Sequence, residues 1–188
     1  MKTDKEKSKR RARRIWITFA FIFSFFMTAL LSLVSGEALE DLPVWAALAV
    51  LLIFILLGIA FDMIGLAVTT ADISAFNAMA AKKDPVGKRA VWLIANAEKV
   101  SSFCNDIVGD ICGVVSGASA ATIAVVLFSG LSYELAFWLT LSLTALVSSV
   151  TVGGKALGKK AGIDKNREIT LLCAKILSVF SKKQGKKK

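Results

Sequence analysis

The chain has 188 residues, 55% of them hydrophobic, with 24 Lys and Arg, 14 Asp and Glu, and no histidine. It is too apolar for a water-soluble domain of this length, and its net charge of +10 places the basic residues outside the apolar runs. The usual proton shuttle and the commonest transition-metal ligand are missing with histidine, and Cys104, Cys112 and Cys173 have neither disulfide nor zinc spacing.

Residues 1–14 are a polar, strongly basic leader, taken as a cytoplasmic N-terminus. Ile15–Val34 carries no charge and is long enough for a helix to cross the hydrocarbon core. It exceeds a signal-peptide core, and no clear small-x-small cleavage site follows, so an uncleaved span is expected. A short acidic loop with Glu37, Glu40 and Asp41 leads to a second span from Val44, uncharged to Phe61 and apolar to Thr70. Residues 72–101 alternate apolar and charged groups and read as an amphipathic helical loop. The third span covers roughly Ser102–Phe128 and the fourth about Leu135–Val152, with a tight turn containing Glu134 between them. Ile169, Leu172, Ile176 and Phe180 then mark one face of a juxtamembrane helix, followed by Lys182, Lys183 and Lys186–Lys188.

Every basic residue lies in one of three segments: eight in 1–14, five in 72–101 and eleven in 153–188. The other two loops hold acids only. This positive-inside pattern predicts an all-α, four-span protein of the cell (plasma) membrane, with both termini cytoplasmic. Trp16 and Trp45 fall near span ends, where amphipathic rings settle at the headgroups. The basic tail suits anionic lipid headgroups, and it lacks the aromatic platform or fold of a nucleic-acid binder.

The third span carries the polar signal. Ser101, Asn105, Gly109, Gly113 and Gly117 recur every fourth residue, and Gly109, Gly113 and Gly117 are expected to let another helix approach, within the chain or across a homodimer. Ser102, Asp106 and Asp110 form the neighbouring stripe. A carboxylate at the centre of a bilayer-spanning helix costs on the order of 3 kcal/mol, so this pair needs a cation, a basic side chain or water; otherwise the helix enters lipid only near Ile111. Asp62 near the end of the second span is either an interfacial acid or a buried one. The hydroxyls of Thr69 and Thr70 and the carboxylates are the hard oxygen donors that magnesium and calcium take. Gly153-x-x-x-x-Gly158-Lys159 imitates a phosphate-binding loop, but Lys160 follows where Ser or Thr belongs, and a membrane helix precedes it. No nucleophile–histidine pair exists, and no enzymatic activity is expected.

From Val44 onwards the order of motifs resembles the transmembrane domain of the CNNM/CorC magnesium-transporter family. Thr69-Thr70-Ala71 with Ser74-Ala75-Phe76-Asn77 looks like the motif closing the family's first span. Asn96-Ala97-Glu98-Lys99-Val100-Ser101-Ser102 looks like the approach to its middle span, and Gly154-Lys155-Ala156-Leu157-Gly158-Lys159 like the end of its last. Lys165-Asn166-Arg167-Glu168 opens a helix like its juxtamembrane one. The resemblance makes residues 44–160 the core, Ile15–Val34 an added span and 161–188 the juxtamembrane tail, without the family's nucleotide-binding CBS pair. It implies a bound or transported Mg2+, with Asp106, Asp110, Asn105, Thr70 and Thr69 as candidate ligands. Thr70 and Lys155 stand where the family's motifs have glutamates. A Lys ammonium cannot coordinate a metal, so Lys155 is expected either to spoil a cation site or to replace the ion by pairing with Asp106 or Asp110. A divalent-cation transporter or transport-related protein is the expected function, with a non-transporting scaffold or regulatory protein that has lost the ion site as the alternative.

Overall fold

The computed structural model describes the backbone of residues 2–184 and the side chains of residues 11, 14–33 and 42–179. Most of the basic leader, the acids Glu37, Glu40 and Asp41, and Phe180 with the terminal lysines lie outside the described side chains. The helices are α1 (Lys2–Asp41), α2 (Val44–Thr70), α3 (Ser74–Ala81), α4 (Pro85–Ala95), α5 (Ala97–Ser102), α6 (Asp110–Phe128), α7 (Tyr133–Asp164) and α8 (Asn166–Gln184). A π-helical segment, Phe103–Gly109, joins α5 to α6. Among the described residues there is no strand, and four helices are long and apolar enough to cross a membrane: Arg14–Leu33, Val44–Thr70, Ala97–Phe128 and Tyr133–Asp164.

The helices outrun the apolar segments that announce them. The expected acidic loop after the first span shrinks to Leu42 and Pro43, because nothing before Pro43 breaks a helix. The third span begins at Ala97 rather than near Ser102, and α7 continues past Val152 to Asp164. Between spans two and three, the turn from α3 to α4 passes through Lys83 at φ 60°. Asp84 then caps α4 by accepting the Val86 N–H at 3.0 Å, with Pro85 at the first helical position.

Three packed seams hold the bundle. Ala47, Leu51 and Ile55 of α2, one turn apart, bury against Ala120 and Ile123 of α6. Trp16, Ala20, Phe23, Met27 and Leu31, spaced as one helix face, attach α1 to Ile107, Ile111 and Val115. The opposite face of α1, with Phe21, Phe25 and Leu33, is exposed, as a lipid-facing helix requires. The third seam lies at the end of the second span. Val68 of α2 and Ala71 just after it meet Phe76, Ala90 and Leu93 of the α3–α4 layer and Ala174 of α8.

Helices α2 and α7 approach closely. A Cβ on Gly162 would stand 2.8 Å from the Met63 carbonyl oxygen, and one on Gly158 would stand 2.8 Å from Ile59 Cγ2. One on Gly154 would overlap Ile59 Cδ1. These glycines recur every four residues and bring two backbones together as small-residue stripes do in membranes.

Candidate functional site

Antiparallel pairing of α2 with the third span builds the site. Along α2, Gly58, Asp62 and Gly65 share one face. A Cβ on Gly58 would lie 3.1 Å from Cys112 Cβ. A Cβ on Gly109 would lie 2.5 Å from Asp62 Oδ1, and Gly65 lies directly against the Asn105 amide. Asp62 therefore rests on the bare backbone at the end of the π-helical segment, where any side chain at Gly109 would displace it. It is only 4% exposed.

The third wall is α7. Lys155 and Lys159 are one turn apart on the face that carries Gly158 and Gly162, so both point towards α2. Lys155 Nζ donates to the Gly109 carbonyl at 2.9 Å. It lies 3.5 Å from Asp110 Oδ1 and 3.9 Å from Asp62 Oδ2. Lys159 Nζ reaches the same Asp62 oxygen at 3.9 Å. Only the carbonyl bond has full hydrogen-bonding length; the carboxylates act on the ammonium as near charges. Helical rise puts Asp62 and Asp110 about 27 Å, and Lys155 about 33 Å, from the ends of their spans at the α6–α7 turn side. All three thus lie near the far edge of a hydrocarbon core about 30 Å thick.

Lys155 meets Asp110, one of its two expected partners. Asp106 is exposed and forms no ion pair among the described residues. The π turn explains why the two acids part company. Asp110 N–H donates to the Asn105 carbonyl, five residues back, and this wider turn breaks the four-residue stripe assumed for the span. Asn105 donates to Ser101 Oγ at 3.2 Å, while its Oδ1 is buried without a hydrogen-bond partner. Thr69 and Thr70 are exposed, and each bonds the Leu66 carbonyl of its own helix, at 2.8 and 2.9 Å. Among the described residues no three His, Cys, Asp or Glu side chains are grouped to hold a metal ion.

The glycine stripe divides as well. Gly109 is a contact, whereas a Cβ on Gly113 would approach only Lys155 Nζ, at 3.9 Å, and one on Gly117 would meet nothing within 4 Å. Gly113 and Gly117 instead border a cavity of about 230 Å³ between α6 and α7, completed by Val147, Ser148, Thr151, Val152 and Lys155. Lys155 therefore both lines this cavity and brings its ammonium to the carboxylates.

Asp62 and Lys159 are the residues whose role sequence reasoning left unassigned. For Asp62 the signal was depth, since counted from the span ends it arrives within about 6 Å of the level of Asp110 and Lys155; for Lys159 it was only the one-turn spacing from Lys155. In the comparisons made, no family model, no curated protein and no solved structure matches the chain.

Proposed function

We propose that this chain is a non-transporting, multi-pass protein of the cell membrane, a scaffold or regulatory subunit whose polar centre is filled by its own ammonium. The observation that carries the reading is the position of Lys155 Nζ, 2.9 Å from the Gly109 carbonyl and 3.5 Å from Asp110. A dehydrated cation would need those oxygens, and an ammonium fixed to α7 occupies them at no loss of a free ion. The distribution of basic residues supports cytoplasmic termini for the same chain.

A divalent-cation carrier of the magnesium type is the second reading. It is favoured by the buried Asn105 Oδ1, which has no hydrogen-bond partner, and by the exposed carboxylates of Asp106 and Asp110 on the same span, oxygens of the kind an ion takes. Titrating the purified full chain with Mg2+ by calorimetry and thermal unfolding separates the two. The tethered-ammonium reading expects no heat and no shift in Tm at millimolar Mg2+. A saturable heat that weakens in Asp110→Asn and Asn105→Ala would establish the carrier reading in its place.

A further inference from the structure

Helix α8 is fixed by one face and bare on the other. Thr170 and Ala174 are fully buried, with Ala174 against Val68 and Ala71 of α2 and against the α3–α4 layer. On the opposite side Leu172, Ile176 and Val179, spaced one turn apart, are 59%, 51% and 63% exposed. Water does not suit such a stripe.

Its depth follows from two contacts. Gly162, at the end of α7, touches Met63, and helical rise puts that level about 28 Å along α2 from Val44. Ala174 meets Val68 and Ala71, at about 36–40 Å on the same scale. From Gly162 to Ala174 the chain therefore drops about 8–12 Å, against the roughly 18 Å that twelve helical residues measure, and α8 begins where the hydrocarbon gives way to headgroups. Trp45, exposed near the start of α2, marks the other interface from which that depth is counted.

On α7, Val152, Leu157 and Ile163 are exposed as well, and the single residue Lys165 links that helix to α8. Exposed Lys160, Lys165 and Lys175 flank these residues, outnumbering the nearby acids Asp164 and Glu168. An apolar edge bordered by cations at headgroup depth matches anionic phospholipid.

We propose that α8 lies along the inner leaflet of the same bilayer, with Leu172, Ile176 and Val179 among acyl chains and Lys160, Lys165 and Lys175 on anionic headgroups. This rests on the reading of the chain as membrane-spanning. The test uses the full chain in phosphatidylcholine vesicles, with or without phosphatidylglycerol, and a benzoylphenylalanine photo-crosslinker at position 172, 176 or 21. Position 21 is the lipid-facing Phe21 of α1 and reports on spanning alone.

Phospholipid adducts are expected at 172 and 176 as well as at 21. Adding phosphatidylglycerol raises the yield at 172 and 176 severalfold, and Lys160→Gln, Lys165→Gln, Lys175→Gln together remove that rise. Adducts at 21 alone, or adducts at 172 and 176 with a second copy of the chain, would overturn the proposal and leave the spans intact. Absence of lipid at 21 would overturn the spanning reading and this proposal with it.

Discussion

The Lys155 ammonium bonds the Gly109 carbonyl at 2.9 Å, and the carboxylate of Asp62 lies against the same glycine. One bare turn of the third span thus receives an anion from α2 and a cation from α7. Removing the cation leaves a nearly buried carboxylate with Lys159 alone at 3.9 Å. Lys155→Ala should destabilise the chain by on the order of 3 kcal/mol, and Lys155→Glu by more. The double variant Asp62→Asn, Lys155→Met should recover most of the loss, because it removes both charges together. Thermal unfolding in one detergent checks the series. Unchanged stability of Lys155→Glu without added metal would show that the ammonium balances nothing.

The glycines give a prediction that separates two stripes of equal appearance. Gly162→Ala forces a Cβ to within 2.8 Å of a backbone oxygen, and Gly109→Ala forces one to within 2.5 Å of Asp62 Oδ1. Each should cost about 1–3 kcal/mol as overpacking. Gly117→Ala meets nothing within 4 Å and should be neutral or gain up to about 1 kcal/mol of helix propensity. The ranking is read from melting temperatures. Equal losses at Gly117 and Gly162 would mean that the cavity beside Gly117 is closed in the folded protein.

The spans were legible in the sequence because uncharged runs of sufficient length have few alternatives. Lys155 was legible as a charge partner only through the family resemblance, in which it stands where a glutamate belongs and cannot coordinate a metal. The tight helix contact was not assigned to the right stripe. Gly109-Gly113-Gly117 and Gly154-Gly158-Gly162 have the same spacing, and only the positions of Ile59 and Met63 on α2 decide which one carries a neighbour. The separation of Asp106 from Asp110 was hidden for another reason. A periodicity argument assumes 3.6 residues per turn throughout, whereas Phe103–Gly109 is wider. Asp62 lay within reach of a depth count, yet its burial depends on Gly109, a residue distant in sequence.

Cys173 offers a chemical check on the third seam. It packs beside Ala174 where α8 meets the α3–α4 layer, and burial pushes its thiol above the ordinary range. A higher thiol pKa means less thiolate at neutral pH, so maleimide should label Cys173 slowly in the folded chain. Labelling should speed up when α8 is loosened by Ala174→Trp. Mass spectrometry of the labelled peptide reads both rates. Rapid labelling in the unmodified chain would place α8 away from α2 and α4.

The start of α3 carries a pH dependence with a definite sign. Asp72 accepts the Ser74 N–H at 2.9 Å and also receives the Ser74 hydroxyl. These two bonds hold its carboxyl below the usual carboxylate range. A depressed folded pKa contributes stability that is present above the unfolded value, near 3.9, and is lost as pH falls through the folded one. Protection of the first-turn amides of α3 against hydrogen exchange, corrected for the intrinsic rate, should therefore hold from neutral pH to about pH 4 and fall below it. Asp72→Asn keeps an oxygen acceptor for the Ser74 N–H but cannot titrate, so its corrected protection should be flat over the same interval. A matching acid-side loss in Asp72→Asn would assign the effect to another carboxyl group.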